Sequence, residues 1–130
     1  MQDDKINPAM EKHRCKAIVV TCIDFRFQQY IEAWEKENLS EYSFDKVALA
    51  GAIFDFFTVI KQIDASHKLH GVKKVVLINH EDCGAYGQLG TYQRHKHDLL
   101  EAKKKIGAVF PTIEVTTLYL HINGEFEVIT

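Results

Sequence analysis

A chain of 130 residues carrying a formal charge of −2 suits one folded domain, which buries about two-thirds of its extended surface. That balance provides no broad attraction for nucleic acid or an anionic membrane, and the runs Lys73-Lys74 and Lys103-Lys104-Lys105 are short enough to read as solvated helix ends or faces. Residues 1–14 are polar and lack the apolar segment of a secretory signal, and nothing later approaches the ~20 apolar residues of a membrane span. A cytoplasmic protein is expected, with 1–130 as a single domain and 1–14 as its N-terminal arm. Three cysteines are an odd count for a disulfide framework, so reduced thiols are expected.

Residues 15–21 are apolar and rich in β-branched side chains, which predicts a buried strand, and 26–38 follow with helical spacing. Phe27, Tyr30, Ile31 and Trp34 mark the expected buried face of that helix. Residues 45–50 predict a second strand ending at Gly51. Phe54, Phe57, Ile60 and Ile63 then recur at three-residue intervals, read as one face of a helix running to about His70 and stopped by Gly71. The continuous Val/Leu/Ile content of 73–79 is that of a central parallel strand covered on both faces. A third helix is expected over 91–106, broken by Gly107 and Pro111. A strand over 113–122 then turns at Asn123-Gly124 into 125–129. This alternation predicts an α/β fold with a mainly parallel central sheet of about four to five strands, helices on both faces and a C-terminal β-hairpin at one edge.

Two predicted strand ends carry the chemistry: Cys22-Ile23-Asp24-Phe25-Arg26 and His80-Glu81-Asp82-Cys83-Gly84. Open α/β folds place ligands at such C-terminal strand ends. Cys22, His80 and Cys83 supply a Cys2His set for zinc that leaves the fourth tetrahedral position open. Asp24 either fills that position or pairs with the planar fork of Arg26 and leaves it to water. In the open arrangement zinc lowers the pKa of water to about 7, with Asp24 accepting a hydrogen bond from it. Taken singly, Cys22 reads as a small buried hydrophobe and His80 as a structural histidine; the combination reads as a metal site. Cys15 has no local partner and reads as core. His67, His70, His95 and His97 sit in polar contexts, the His95-Lys96-His97 triplet reads as solvated surface, and His121 is assigned no role. A Cys-dependent phosphatase is disfavoured because Cys22 and Arg26 are too close to enclose a phosphate-binding loop.

These two motifs resemble the paired signatures of the beta-class carbonic anhydrases. Val47-Ala48-Leu49-Ala50-Gly51 resembles that family's Ala-Gly strand end, and residues 118–129 resemble its closing strands, so the resemblance spans 15–130. It implies that Cys22, His80 and Cys83 bind Zn2+ and that Asp24 and Arg26 form the family's gating dyad. It further implies reversible hydration of carbon dioxide to bicarbonate without an organic cofactor, in a homodimer or higher homo-oligomer. The chain departs from the family where Phe25 replaces a common Ser, and where Ala48 and Leu49 replace a basic residue and Asn. It is also shorter than usual before the first strand and after Cys83. A more apolar pocket is expected. That keeps two alternatives in view: a zinc hydrolase for carbonyl sulfide or carbon disulfide, and a noncatalytic zinc-binding homologue.

Overall fold

The structure, a computed structural model, describes residues 13–39 and 43–130, so nearly all of the expected N-terminal arm lies outside the described residues. Strand β1 (Ala17–Thr21) leads through a 3-10 turn (Phe25–Phe27) into helix α1 (Gln28–Asn38). Strand β2 (Phe44–Ala48), a second 3-10 turn (Ala52–Asp55) and α2 (Phe56–His70) follow. Strand β3 (Lys74–His80), a third 3-10 turn (Gly87–Leu89) and α3 (Tyr92–Val109) precede the closing strands β4 (Glu114–Leu120) and β5 (Phe126–Val128). The five strands form one sheet in the order β2-β1-β3-β4-β5. The first four are parallel, and β5 runs antiparallel to β4 at the edge, as the alternation predicts. No helix among the described residues is long and apolar enough to cross a membrane.

The apolar runs of β1 and β3 put them in the middle of the sheet, where both faces are covered. On one face Ile18, Val20, Val75 and Leu77 pack with Val59 and Ile63 of α2 and with Leu99 and Ile106 of α3. On the other, Val19, Val76 and Ile78 meet Phe27 and Ile31. Each fully buried aliphatic or aromatic side chain contributes about 1.5–3 kcal/mol. This two-sided core holds the C-terminal ends of β1 and β3 side by side.

Two expected helix faces need correction. Phe27 and Ile31 are buried, but Tyr30 is exposed; its ring covers Gly124, where a Cβ would approach it to 2.6 Å. Phe54 and Phe57 are also exposed, and the buried face of α2 is Val59, Ile63, Ser66 and His67. The cause is the 3-10 turn over Ala52–Asp55. Its tighter winding resets the angular phase between Phe54 and α2, and within α2 the three-residue spacing of Phe57, Ile60 and Ile63 drifts by about 60° per step, so Phe57 and Ile63 fall on different faces. Gly71 ends α2 as expected, with φ 64° and its N–H donating to the His67 carbonyl.

Candidate metal centre

β1 releases Cys22 immediately after Thr21, and β3 ends on His80. Cys83 follows through a turn in which Asp82 adopts φ 57°. The Sγ atoms of Cys22 and Cys83 and a ring nitrogen of His80 lie within 4.8 Å of one another, and all three residues are buried. His80 Nδ1 stands 2.7 Å from the Glu81 carbonyl. A carbonyl only accepts, so the proton belongs on Nδ1 and the lone pair on Nε2. Nε2 is buried and has no hydrogen-bond partner. An unpartnered imidazole nitrogen beside two thiols is a donor set that a tetrahedral divalent ion satisfies, so these residues fit zinc.

Neighbouring groups hold the set in place. The His80 ring stacks on Phe27 with centroids 4.1 Å apart. Gly51 N–H donates to Cys22 Sγ at 3.3 Å. That approach requires glycine: Gly51 has φ 81°, and a Cβ there would lie 2.9 Å from Phe54 Cβ. The Gln28 amide donates to the carbonyls of Cys22 and Asp24 at 3.1 and 2.8 Å, which fixes the loop between β1 and α1.

The electrostatics suit a cation. A hydrogen bond from the Cys83 thiol pulls Cys22 well below the ordinary thiol value; burial opposes this, while His80 and the Gly51 N–H assist. The same pairing, with burial, pushes Cys83 up, so the two thiols give up the first proton easily and retain the second. Burial disfavours a charged His80, yet Cys22, the Glu81 carbonyl and the Asp24 charge together outweigh it and raise its pKa.

Asp24 and Arg26 stand beside this cluster as an interlocked pair. Arg26 Nη2 donates to Asp24 Oδ2 at 2.7 Å, and Nε donates to Oδ1 at 3.1 Å. Asp24 Oδ1 also caps the 3-10 turn by accepting from the Arg26 backbone N–H. The Arg26 hydrogen bond holds the Asp24 carboxyl down at about 2, against a smaller opposing effect of burial. Arg26 is itself braced by Asp82, through Nη1 to Oδ2 at 3.0 Å and Nη2 to the backbone oxygen at 2.9 Å. Asp24 Oδ2 lies 3.9 Å from His80 Nε2.

Phe25 is 85% exposed and, with Ile23, Ala50 and Ala85, gives an apolar mouth to a cleft of about 420 Å3 beside Cys22 and Asp24. Ala48 is exposed, and Leu49 packs against the main core instead of lining the cleft. The apolar character expected from positions 48 and 49 therefore comes from other residues.

His95 is a further correction. It is fully buried rather than solvated, with Nδ1 2.8 Å from Asn79 Nδ2 and its ring against Tyr86 and Tyr119. Burial pushes its pKa down to about 4. Asn79 also donates to Tyr86 Oη at 3.0 Å, and Tyr86 donates to Asp98 at 3.0 Å. Tyr86 packs on Cys22 and Cys83, so this polar chain backs the two thiols. The signal was available: His95, Leu99, Ala102 and Ile106 form the buried face of α3 at helical spacing. His67 is buried too, with Nδ1 3.4 Å from the Val72 carbonyl. Cys15 packs against the core edge as expected, but Asp45 and His70 are its neighbours. Gln28 carried no sequence signal, and Asp82 had no assigned role.

Residues 11–130 match the family model described as "Putative carbonic anhydrase". A protein of Rickettsia bellii (strain RML369-C), described as uncharacterized, is 27% identical over an alignment 134 positions long, covering 88% of this chain and 82% of its own. Among solved structures, a carbonic anhydrase from Glaciozyma antarctica superposes with a TM-score of 0.64 at 16% identity, covering 88% of this chain and 81% of the other. The apo form of a carbon disulfide hydrolase gives a TM-score of 0.63 at 12% identity, covering 93% and 83%. At these identities the structural likeness is one of fold.

Proposed function

The chain belongs to the carbonic anhydrase family whose model it matches, and from that premise we propose that it catalyses zinc-dependent, reversible hydration of carbon dioxide to bicarbonate and a proton. The observation that carries this reading is the unpartnered, buried Nε2 of His80 between two thiols, beside an Asp24 carboxylate held by Arg26. Zinc held by Cys22 Sγ, His80 Nε2 and Cys83 Sγ supplies Lewis acidity that brings the pKa of water to about 7 and polarises a carbon–oxygen bond.

The remaining work belongs to the chain. With its pKa down at about 2, Asp24 stays anionic across the neutral range. So acidic a group is a poor proton acceptor near pH 7 but a good hydrogen-bond acceptor, so Asp24 orients the attacking water and the released proton passes to buffer. Arg26 sets the direction of that carboxylate through its fork. The clasp supports the open site, because Asp24 would have to leave Arg26 to become a ligand. Ile23, Phe25, Ala50 and Ala85 present apolar surface to an apolar gas. Reduced Cys22 and Cys83 suit the cytoplasm. Exposed apolar side chains away from the cleft, such as Phe57, Leu69 and Val128, suit a homodimer or higher homo-oligomer.

One observation favours a second reading. Phe25, where the family the motifs resemble commonly has Ser, exposes an apolar ring and no hydroxyl, which supports apolar electrophiles such as carbonyl sulfide or carbon disulfide. The deciding experiment is stopped-flow carbon dioxide hydration by metal-quantified protein, from neutral to alkaline pH, beside Cys22→Ser and Asp24→Ala. Zinc-dependent turnover that Cys22→Ser abolishes is the expected result. Stoichiometric zinc with no hydration at any pH overturns it. Turnover of the sulfur gases would then establish the second reading, and inertness toward all three gases would leave a noncatalytic zinc-binding homologue.

A further inference from the structure

A second group of ligand-type side chains converges at the opposite end of the sheet. Cys15 precedes β1, Asp45 lies near the start of β2, and His70 ends α2. A ligand atom from each falls within 4.8 Å of the other two. We propose that Cys15, Asp45 and His70 form a second divalent-metal site, for zinc or a cation of similar borderline softness.

The backbone fixes these residues without help from an ion. Cys15 N–H donates to the His70 carbonyl at 3.1 Å, and Lys16 N–H donates to the Ser43 carbonyl at 2.9 Å. The β1–β2 ladder pairs Ile18 with Asp45. Asp45 Oδ2 accepts from Ser66 Oγ at 2.6 Å and lies 2.7 Å from His70 Nδ1. Cys15 Sγ lies 3.6 Å from the Ala17 carbonyl.

Tetrahedral bonds of 2.0–2.3 Å place neighbouring ligand atoms about 3.3–3.8 Å apart. The 2.7 Å contact and the 4.8 Å limit bracket that spacing, so small side-chain rotations suffice. A thiolate and a carboxylate this close repel each other, and a divalent cation between them removes the repulsion. A sulfur, nitrogen and oxygen set selects zinc-like ions over magnesium or calcium, which take oxygen ligands. Ser66 remains hydrogen-bonded to Asp45 and orients it from outside the ligand shell.

Asp45 and His70, with Ser66, line a groove of about 220 Å3 between β2 and α2, with Cys15 behind them. The groove gives an ion a route in and leaves room for a solvent ligand. The side chains of Asp45 and His70 are about one-third exposed, at 31% and 34%, whereas the Cys22, His80 and Cys83 cluster is buried. The second site therefore binds more weakly and exchanges its ion faster.

The test is a titration of reduced, metal-stripped full-length protein with Co2+ and then Zn2+, following bound equivalents and the thiolate-to-cobalt charge-transfer absorbance. Two equivalents per chain are expected, the second weaker. Cys15→Ser and His70→Gln each weaken that second equivalent by at least about tenfold while the tighter one is kept, and Cys22→Ser keeps the weaker one. A single equivalent in the unaltered chain that Cys15→Ser and His70→Gln leave in place overturns the proposal. So does a second equivalent unchanged in both Cys15→Ser and His70→Gln, which would place the ion on another surface histidine. If Cys22→Ser does not fold, the other two variants decide, with far-UV circular dichroism showing that they are intact. A Cys15-dependent charge-transfer band is independent of whether the Cys22, His80 and Cys83 set binds zinc.

Discussion

Cys22 and Cys15 flank opposite ends of the same strand, and their surroundings drive them in opposite directions. At the C-terminal end, Cys22 meets the Cys83 thiol, His80 and the Gly51 N–H, which outweigh burial and favour its thiolate. At the N-terminal end, burial and then the Asp45 charge push the Cys15 thiol up. Residue type alone therefore says little about reactivity. Backbone N–H groups reach both sulfurs; what separates the two ends is the neighbouring side chain, a thiol and an imidazole that favour the thiolate beside Cys22 and a carboxylate that opposes it beside Cys15.

The comparison breaks most severely at Arg26. Arg26→Ala removes the fork from Asp24, and kcat/KM for hydration is expected to fall ~10–100-fold, measured by stopped flow. Arg26→Lys restores only part of it, because an ammonium cannot hold both carboxylate oxygens in one plane. The same variant has a signed effect on stability. Asp24 is depressed from 3.8 to about 2, so its stabilisation is fully present above 3.8 and is lost as pH falls toward 2. The difference in urea midpoint between the unaltered protein and Arg26→Ala should be present at pH 5 and vanish near pH 2.

Gly51→Ala is next, because it meets Phe54 Cβ at 2.9 Å from a left-handed backbone. A cost of about 1–3 kcal/mol is expected, read from urea unfolding. His95 offers a pH test: burial lowers its pKa from 6.5 to about 4, so its stabilisation is present above 6.5 and lost as pH falls through 4. Its ring resonances should not titrate between pH 5 and 7, whereas an exposed histidine would. The smallest effect is at the far end. Ser66→Ala removes the 2.6 Å bond to Asp45 and should cost ~0.5–1.5 kcal/mol in equilibrium unfolding.

β1 and β3 were legible because strands buried on both faces must be continuously apolar, and such runs in this chain are short and clearly bounded. The two motifs were legible because their chemistry is local: each puts metal-ligand side chains within a few residues of a strand end. Two kinds of information were not local. The helical phase was lost twice, for Phe54 at the 3-10 turn over Ala52–Asp55 and for Phe57 within α2, where a three-residue repeat drifts off a 3.6-residue period. The partners of Cys15 and His95 come from elements far away in the chain, and a half-buried thiol next to Asp45 or an imidazole on Asn79 exists only after the sheet is assembled. Asp82 lay inside a motif, yet its brace on Arg26 depends on the loops after β1 and β3 meeting.

The adjacency of β1 and β3 also bears on how the protein comes together in time. β2 and α2 intervene between them along the chain, so Cys22 meets His80 and Cys83 only after a long loop has closed and the middle of the sheet has paired. In a zinc finger the ligands are local and the ion can seed the structure; here an ion held by all three residues would find its ligand set only after the middle of the sheet has paired. Its binding energy would then fall on the escape from the native state rather than on the approach to it. Loading the centre should leave the refolding rate nearly unchanged and slow unfolding, so that the ion acts as a latch on a finished molecule.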